Sequence, residues 1–205
     1  MAIDPQRTQP RTGERMSVRE YFTLDYTFPN AKYEYQDGRV RLMSGGTKAH
    51  NDITINMLVA LRQQFLSGPC SVQSLDMRVQ VSESAYFFPD VTVTCDVADR
   101  QPDTKVIRSP RIVVEVLSPS TEKYDYTDKL KAYQSCPTIQ EIVLIDQFAP
   151  HVEVFRRREE ESSEWDCVVY GPGQEVLLAS VDLSIPIEQI YRKINFDEPL
   201  PEEYS

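Results

Sequence analysis

Residues 112 to 117 read Ile-Val-Val-Glu-Val-Leu. β-Branched residues lose rotamer freedom in a helix and pack well on a pleated surface, so this run reads as a buried strand. Glu115 interrupts it. Glutamate is depleted in strands and is almost never fully buried without a partner. Any fold for this chain must therefore bury a strand and also supply something for a carboxylate in its middle.

The rest of the chain supplies the elements of an α/β (α+β) domain. Ser17-Val18-Arg19-Glu20 has the form of a capping box and predicts a short helix over 17–24. Two alternating segments flank Asp37-Gly38, a strong hairpin signal. A glycine-rich loop leads to a long helix, 48–66, with Ile53, Met57, Ala60, Leu61 and Phe65 at helical spacing. Period two then takes over, and strands are expected over 70–81, 88–95 and 111–117. A second helix is expected over 125–135, with Asp125 as its N-cap. EIVLID (141–146) reads as a buried strand, and HVEVFRRR and WDCVVYG pair across a charged turn. Helices interleaved with strands predict a mixed β-sheet flanked by helices. We expect a disordered tail over 1–16, one domain over 17–195, and an acidic C-terminal tail over 196–205.

Composition excludes several classes. No apolar stretch approaches the roughly 18 residues that span a bilayer. The polar start has no apolar core of a secretory signal, so a cytoplasmic setting is expected. In that setting Cys70, Cys95, Cys136 and Cys167, scattered and without CxxC pairing, read as packed thiols rather than as disulfides or zinc ligands. The net charge is −10, which argues against coating nucleic acid with a broad basic surface. A local basic groove is still compatible with it, as is a site whose carboxylates are screened by a metal ion.

Glu115 has a companion. In YFFPDVTVTCD, Asp90 follows Pro89 and leads directly into a second apolar β segment. An ionised carboxylate in a dry sheet is strongly unfavourable unless paired, hydrogen-bonded or metal-bound. Each acid alone could instead lie at a strand end facing water. Two carboxylates from adjacent strands could hold one Mg²⁺ or Mn²⁺ and leave positions for water and a phosphate oxygen. The cation such chemistry needs is not two residues on, where Leu117 stands. Lys123 in the following loop, or Lys129 and Lys131 on the next helix, could provide it.

FPDV followed by VVEVLSPST and DYTDKLKAY resembles a bacterial family of restriction-endonuclease-like proteins, a branch of the PD-(D/E)xK nuclease superfamily. The resemblance runs from about 18 to 190 and includes YEYQDGRVRLMSGGTKAHNDI and EIVLID. It implies a restriction-endonuclease-like core and hydrolysis of nucleic-acid phosphodiesters. Asp90 matches the superfamily's Asp and Glu115 its (D/E), both as metal ligands. The usual lysine position holds Leu117, and the family's helix lysine matches Lys129. Glu34 matches an N-terminal acid of the metal or water network, and His50 a histidine of the first long helix that could face substrate.

Plainer roles stand beside these. Glu34 could balance Lys32 on a strand face, His50 could be a solvated first-turn residue, and Lys129 a solvated helix lysine. Ser118, Ser120 and Thr121 read as turn residues, and Asp76 and Arg78, alternating on a strand, as a surface ion-pair pattern or a groove lining outside the site. Arg156-Arg157-Arg158 reads as a solvated hairpin end. Tyr124, Tyr126 and Tyr133 could stack on bases, but hydrogen-bonded core tyrosines are commoner. The expectation is a metal-dependent nuclease acting on DNA or RNA, without membrane contact and as a homodimer. The alternatives are a non-catalytic scaffold that keeps the fold, and a hydrolase of other phosphoesters.

Overall fold

The computed structural model describes residues 8–43, 45–74, 76–119, 122–159 and 162–196. Its helices are α1 (Val18–Thr27), α2 (Lys48–Gln64), α3 (Glu122–Tyr124), α4 (Leu130–Ser135) and α5 (Ile187–Ile190). The strands are β1 (Tyr33–Gln36), β2 (Arg39–Leu42), β3 (Ser71–Ser74), β4 (Arg78–Ser82), β5 (Ala85–Phe87), β6 (Val91–Thr94) and β7 (Val106–Ile107). They continue as β8 (Pro110–Leu117), β9 (Glu141–Asp146), β10 (Val152–Arg157), β11 (Trp165–Tyr170), β12 (Glu175–Leu178) and β13 (Leu183–Pro186).

A six-stranded sheet, β11-β10-β9-β8-β6-β3, is the centre. Its β8–β9 pair is parallel and the others are antiparallel, so the sheet is mixed as expected. The parallel pair needs a crossover, and the segment from 117 to 141, carrying α3 and α4, makes it. A second sheet, β2-β1-β5-β4-β7, and the small β12-β13 ribbon complete the fold.

The two faces of β8 pack against different layers, as period two requires. Ile112, Val114 and Val116 join Ile53, Met57 and Leu61 of α2 in one core. Val113 and Leu117 face the other way, with Leu130 and Tyr133 of α4 and Val79, Phe87 and Ile107 of the second sheet. Glu115 shares this second face. It lies between two packed layers rather than at a solvent edge.

Local signals behave as their chemistry requires. Ser17 and Glu20 form the reciprocal capping box, and the β1–β2 hairpin turns at Asp37 (φ 48°) and Gly38 (φ 86°). Both turn residues are in the positive-φ region that a two-residue hairpin demands. The 70–81 stretch differs from expectation. It is not one strand but β3 and β4, which belong to different sheets. Period two continues through both, so alternation alone could not reveal the break.

Three further expectations are corrected. Cys70 and Cys95 form a disulfide, with Cα atoms 3.9 Å apart. Antiparallel pairing of Ser71 with Thr94 makes them the next opposed positions, a proximity the 25-residue spacing hid. Arg157 is buried rather than solvated. It donates to the carbonyls of Ile139, Ser162, Gln134 and Cys136 and lies over the Trp165 ring. The segment before Ser17 is partly built into the fold: Met16 is buried, and the Gly13 and Met16 amides donate to Val40 and Gly38. Residues 1–7, Ser120, Thr121 and 197–205 lie outside the described residues.

Candidate active site

Four elements bring acidic and basic side chains to one end of β8. Residue 34 is on β1 of the hairpin, residue 50 is in the first turn of α2, and Asp90 directly precedes β6. Glu115 is on β8. The fourth wall is the crossover, which is not the plain helix expected. A π turn over Asp125–Lys129 separates α3 from α4. Single π turns are rare and occur often at functional sites. Asp125 is therefore inside the helical segment and buried, not at its N-cap. Residues 125, 129 and 133, four apart, all turn inward to β8: Asp125, Lys129 and Tyr133 are each buried.

Lys129 is the hub. Its Nζ lies 2.8 Å from Oε1 of Glu34 and 2.8 Å from Oε1 of Glu115, with Oδ1 of Asp125 at 3.9 Å. Burial works to lower its basicity, but Glu115 and Glu34 outweigh it, so the group remains an ammonium well beyond neutral pH. Leu117, two residues after Glu115 on the same face, is buried in the apolar core. The cation that position 117 lacks arrives at Glu115 from the crossover. Lys131 and Lys123 are exposed and do not reach the site.

Glu115 also accepts the Tyr133 hydroxyl at 2.5 Å. Burial pushes its carboxyl well above the usual range; Lys129 opposes this, and the charges of Asp125, Asp90 and Glu34 add to it. Asp90 accepts the Val116 amide at 2.7 Å through Oδ2, which faces the His50 Nε2 at 3.2 Å. For His50 burial is the largest influence and a lowering one. The Asp90 hydrogen bond and charge, aided by the Val116 carbonyl, overcome it and hold the imidazole above its usual value. Glu34 Oε1 also accepts the Phe88 amide. It does not pair with Lys32, which bridges to Asp76 instead.

The structure thus gathers Glu34, His50, Asp90, Glu115 and Lys129 around one cleft of about 960 Å³. Asp125 and Tyr124 also line this cleft, and Tyr133 reaches Glu115 from behind it. The D-x-x-x-K-x-x-x-Y spacing signals Asp125 and Tyr133 beside Lys129; Tyr124 lies outside that pattern. Asp76 and Arg78 are elsewhere; Arg78 is buried on Asp25 and Tyr21. Tyr126 bonds Glu153 instead of lining the cleft. Among the described residues no group of three or more His, Cys, Asp or Glu is arranged as a ready-made metal site. Two carboxylates are still a suitable pair of ligands for a hard, oxygen-seeking cation that keeps water in its other positions.

The fold is that of restriction-endonuclease-like nucleases. A solved structure described as "a putative nuclease belonging to DUF820", from Anabaena variabilis ATCC 29413, superposes with a TM-score of 0.65. That match covers 78% of this chain and 89% of the other at 18% identity. Residues 18–188 match the Uma2 family model, described as "Putative restriction endonuclease", and the chain belongs to that family. Two relatives come from Synechocystis sp. (strain ATCC 27184 / PCC 6803 / Kazusa). "Uncharacterized protein slr1290" is 34% identical over 183 residues, 89% of this chain and 94% of that protein. "Uncharacterized protein sll1609" is 30% identical over 128 residues, 62% of this chain and 72% of that one. Among the described residues no helix is long and apolar enough to cross a membrane.

Proposed function

We propose that this protein is a divalent-metal-dependent nuclease that hydrolyses phosphodiester bonds of nucleic acid, DNA in the first instance and RNA as the alternative substrate. The observation that carries the reading is the buried Glu34–Lys129–Glu115 bridge beside Asp90 in one open cleft. Such a cluster is an expensive way to build a core. Its cost makes sense where charge must be handled.

Asp90 and Glu115 would hold Mg²⁺ or Mn²⁺. Once bound, the ion supplies polarisation of the phosphodiester and a more acidic bound water. Lys129 then has two tasks that follow from its position. Its ammonium offsets negative charge that builds up at phosphorus, and it keeps Glu34 and Glu115 from repelling each other. Glu34 holds Lys129 from the far side and, lining the same cleft, would be the base that accepts the proton leaving the attacking water. The Tyr133 hydroxyl fixes the rotamer of Glu115, and His50 fixes that of Asp90. We place the enzyme in the cytoplasm and as a homodimer, since cutting both strands of a duplex suits two sites related by symmetry.

The test is cleavage of supercoiled plasmid and of single-stranded DNA and RNA in Mg²⁺, Mn²⁺ or EDTA, with Asp90→Ala and Glu115→Ala beside the wild type. Metal-dependent cutting that both variants lose is the expected result. A wild type that binds neither metal nor nucleic acid would leave the alternative of a non-catalytic scaffold.

A further inference from the structure

Five cationic side chains line the cleft: Lys32, Arg41, Lys48, His50 and Lys129. Four are committed to acids. Lys32 is paired with Asp76, Lys48 with Asp52, His50 with Asp90, and Lys129 with Glu34 and Glu115. Arg41 is the exception. Among the described residues its guanidinium has no ion pair and no hydrogen bond. It is nonetheless held. The guanidinium carbon lies 3.9 Å from the centroid of the Tyr124 ring, and Tyr124 is itself anchored by donating to Gln36 Oε1 at 2.8 Å.

The hairpin register fixes where Arg41 points. Arg41 is directly opposite Glu34 across β1 and β2. Opposed residues project from the same face of a sheet with their Cβ atoms about 4.5–5.5 Å apart. Glu34 bonds Lys129, so Arg41 stands beside the reacting centre, one side-chain row out. A guanidinium in a chain of net charge −10, lining a cleft with carboxylates in it, would ordinarily collapse onto the nearest acid. Arg41 instead lies over the Tyr124 ring and lines the cleft, and a guanidinium there has the forked donors that can read a phosphate with two parallel hydrogen bonds.

We propose that Arg41, preorganised by Tyr124, is a phosphate clamp for a non-scissile phosphodiester adjacent to the one cut. The assignment rests on the nuclease reading for the word scissile, but the anion site itself does not depend on cleavage. It makes Arg41 a binding residue rather than a catalytic one, and Tyr124 a positioning residue that acts through it. The shared chemistry is a phosphate oxyanion, so free phosphate and the nucleic-acid backbone are separate arms of the test.

The experiment is fluorescence anisotropy of a labelled 20-nucleotide DNA, single-stranded and duplex, in EDTA and in Ca²⁺, across a salt series. Wild type is compared with Arg41→Ala, Arg41→Lys and Tyr124→Ala, each checked for an unchanged melting profile. Arg41→Ala should weaken binding roughly 10-fold or more, the loss of a charge-assisted hydrogen-bonded pair. Its log–log salt slope should drop by about 0.9 on duplex or 0.7 on single strand, the release of one phosphate contact. Arg41→Lys should keep the salt slope while recovering only part of the affinity, and Tyr124→Ala should fall between wild type and Arg41→Ala. Inorganic phosphate should displace the oligonucleotide from wild type more effectively than from Arg41→Ala. Equal affinity and slope in wild type and Arg41→Ala would overturn the clamp, as would a wild type with no affinity for either strand form. Plasmid cleavage separates the two readings. Arg41-dependent binding without cutting sinks the nuclease and keeps the clamp; cutting with an unaltered KM in Arg41→Ala sinks the clamp alone.

Discussion

The Nζ atom of Lys129 is 2.8 Å from Oε1 of Glu115, although the two belong to a helix-bearing crossover and to the strand before it. The pair is buried on both sides, and Glu34 completes it at the same distance. Removing the cation therefore strands two carboxylates in a low-dielectric layer. Lys129→Met should cost about 3–5 kcal/mol of stability at neutral pH, as breaking a buried ion pair does. The penalty should shrink as pH falls and the orphaned acids take up protons. Denaturant melts of both proteins at pH 5 and pH 7.5 check this; a penalty independent of pH would contradict it.

The metal-free protein should lose stability as pH rises. The folded state raises the Glu115 carboxyl well above its ordinary 4.5, so above that value the native chain holds a proton the unfolded chain has released. More protons bound in the native state means that unfolding free energy falls with pH in this window. His50, raised from 6.5, has the same sign: its contribution is complete below 6.5 and is lost as pH climbs through the folded value. Thermal melts in EDTA should show a higher midpoint at pH 5.5 than at pH 8, and Glu115→Gln should flatten that slope.

If Asp90 and Glu115 hold a metal ion as proposed, its binding should expel a proton, because ligands must be deprotonated. Calorimetric titration of Mg²⁺ or Mn²⁺ near pH 6.5, in two buffers of different ionisation enthalpy, should give different apparent heats. The difference should vanish in Glu115→Gln. Equal heats for the wild type in both buffers would show that Glu115 is already ionised.

Tyr133→Phe keeps the ring packed against Phe87 and deletes the 2.5 Å bond to Glu115. A buried acceptor that still has Lys129 should lose about 1 kcal/mol of stability. On the proposed function, cleavage should show the change in kcat rather than in KM, since the hydroxyl would orient the proposed metal ligand Glu115. Steady-state kinetics with saturating metal would decide it.

Arg157→Met provides the opposite control. The guanidinium ties four carbonyls between the end of α4, β9 and the β10–β11 turn. Its loss leaves buried acceptors unmet, and about 2–4 kcal/mol of destabilisation is expected. Cleavage measured well below the melting temperature should be unchanged.

Much of this was readable from residue order where one interaction dominates. Ser17–Glu20, Asp37-Gly38 and the apolar run at 141–146 fix their local structure through a cap, a turn and burial, and each stands where expected. Asp90 and Glu115 were visible because an acid within an apolar strand requires compensation. What was hidden depends on pairing between distant segments. The Cys70–Cys95 bridge follows from the β3–β6 register, and the role of Arg157 follows from four carbonyls of the α4 end, the α4–β9 connection and the β10–β11 turn meeting around it. The π turn at Asp125–Lys129 is set by tertiary contacts, and a spacing of four fits an ordinary helix face almost as well. That is why Asp125 resembled a cap and why Tyr133 passed for core.

The division of β8 into two faces has a consequence for how the family can change. Val114 and Val116 serve the α2 core while Glu115 serves the site, so a single inserted or deleted residue ahead of Glu115 would exchange their roles. The acid would then be driven into the apolar layer under α2 and a valine delivered to Lys129, so that folding and chemistry would fail together. Substitutions can drift along this strand one face at a time, but its length ahead of the acid cannot. An insertion scan through residues 110–117 should find no tolerated position before Glu115.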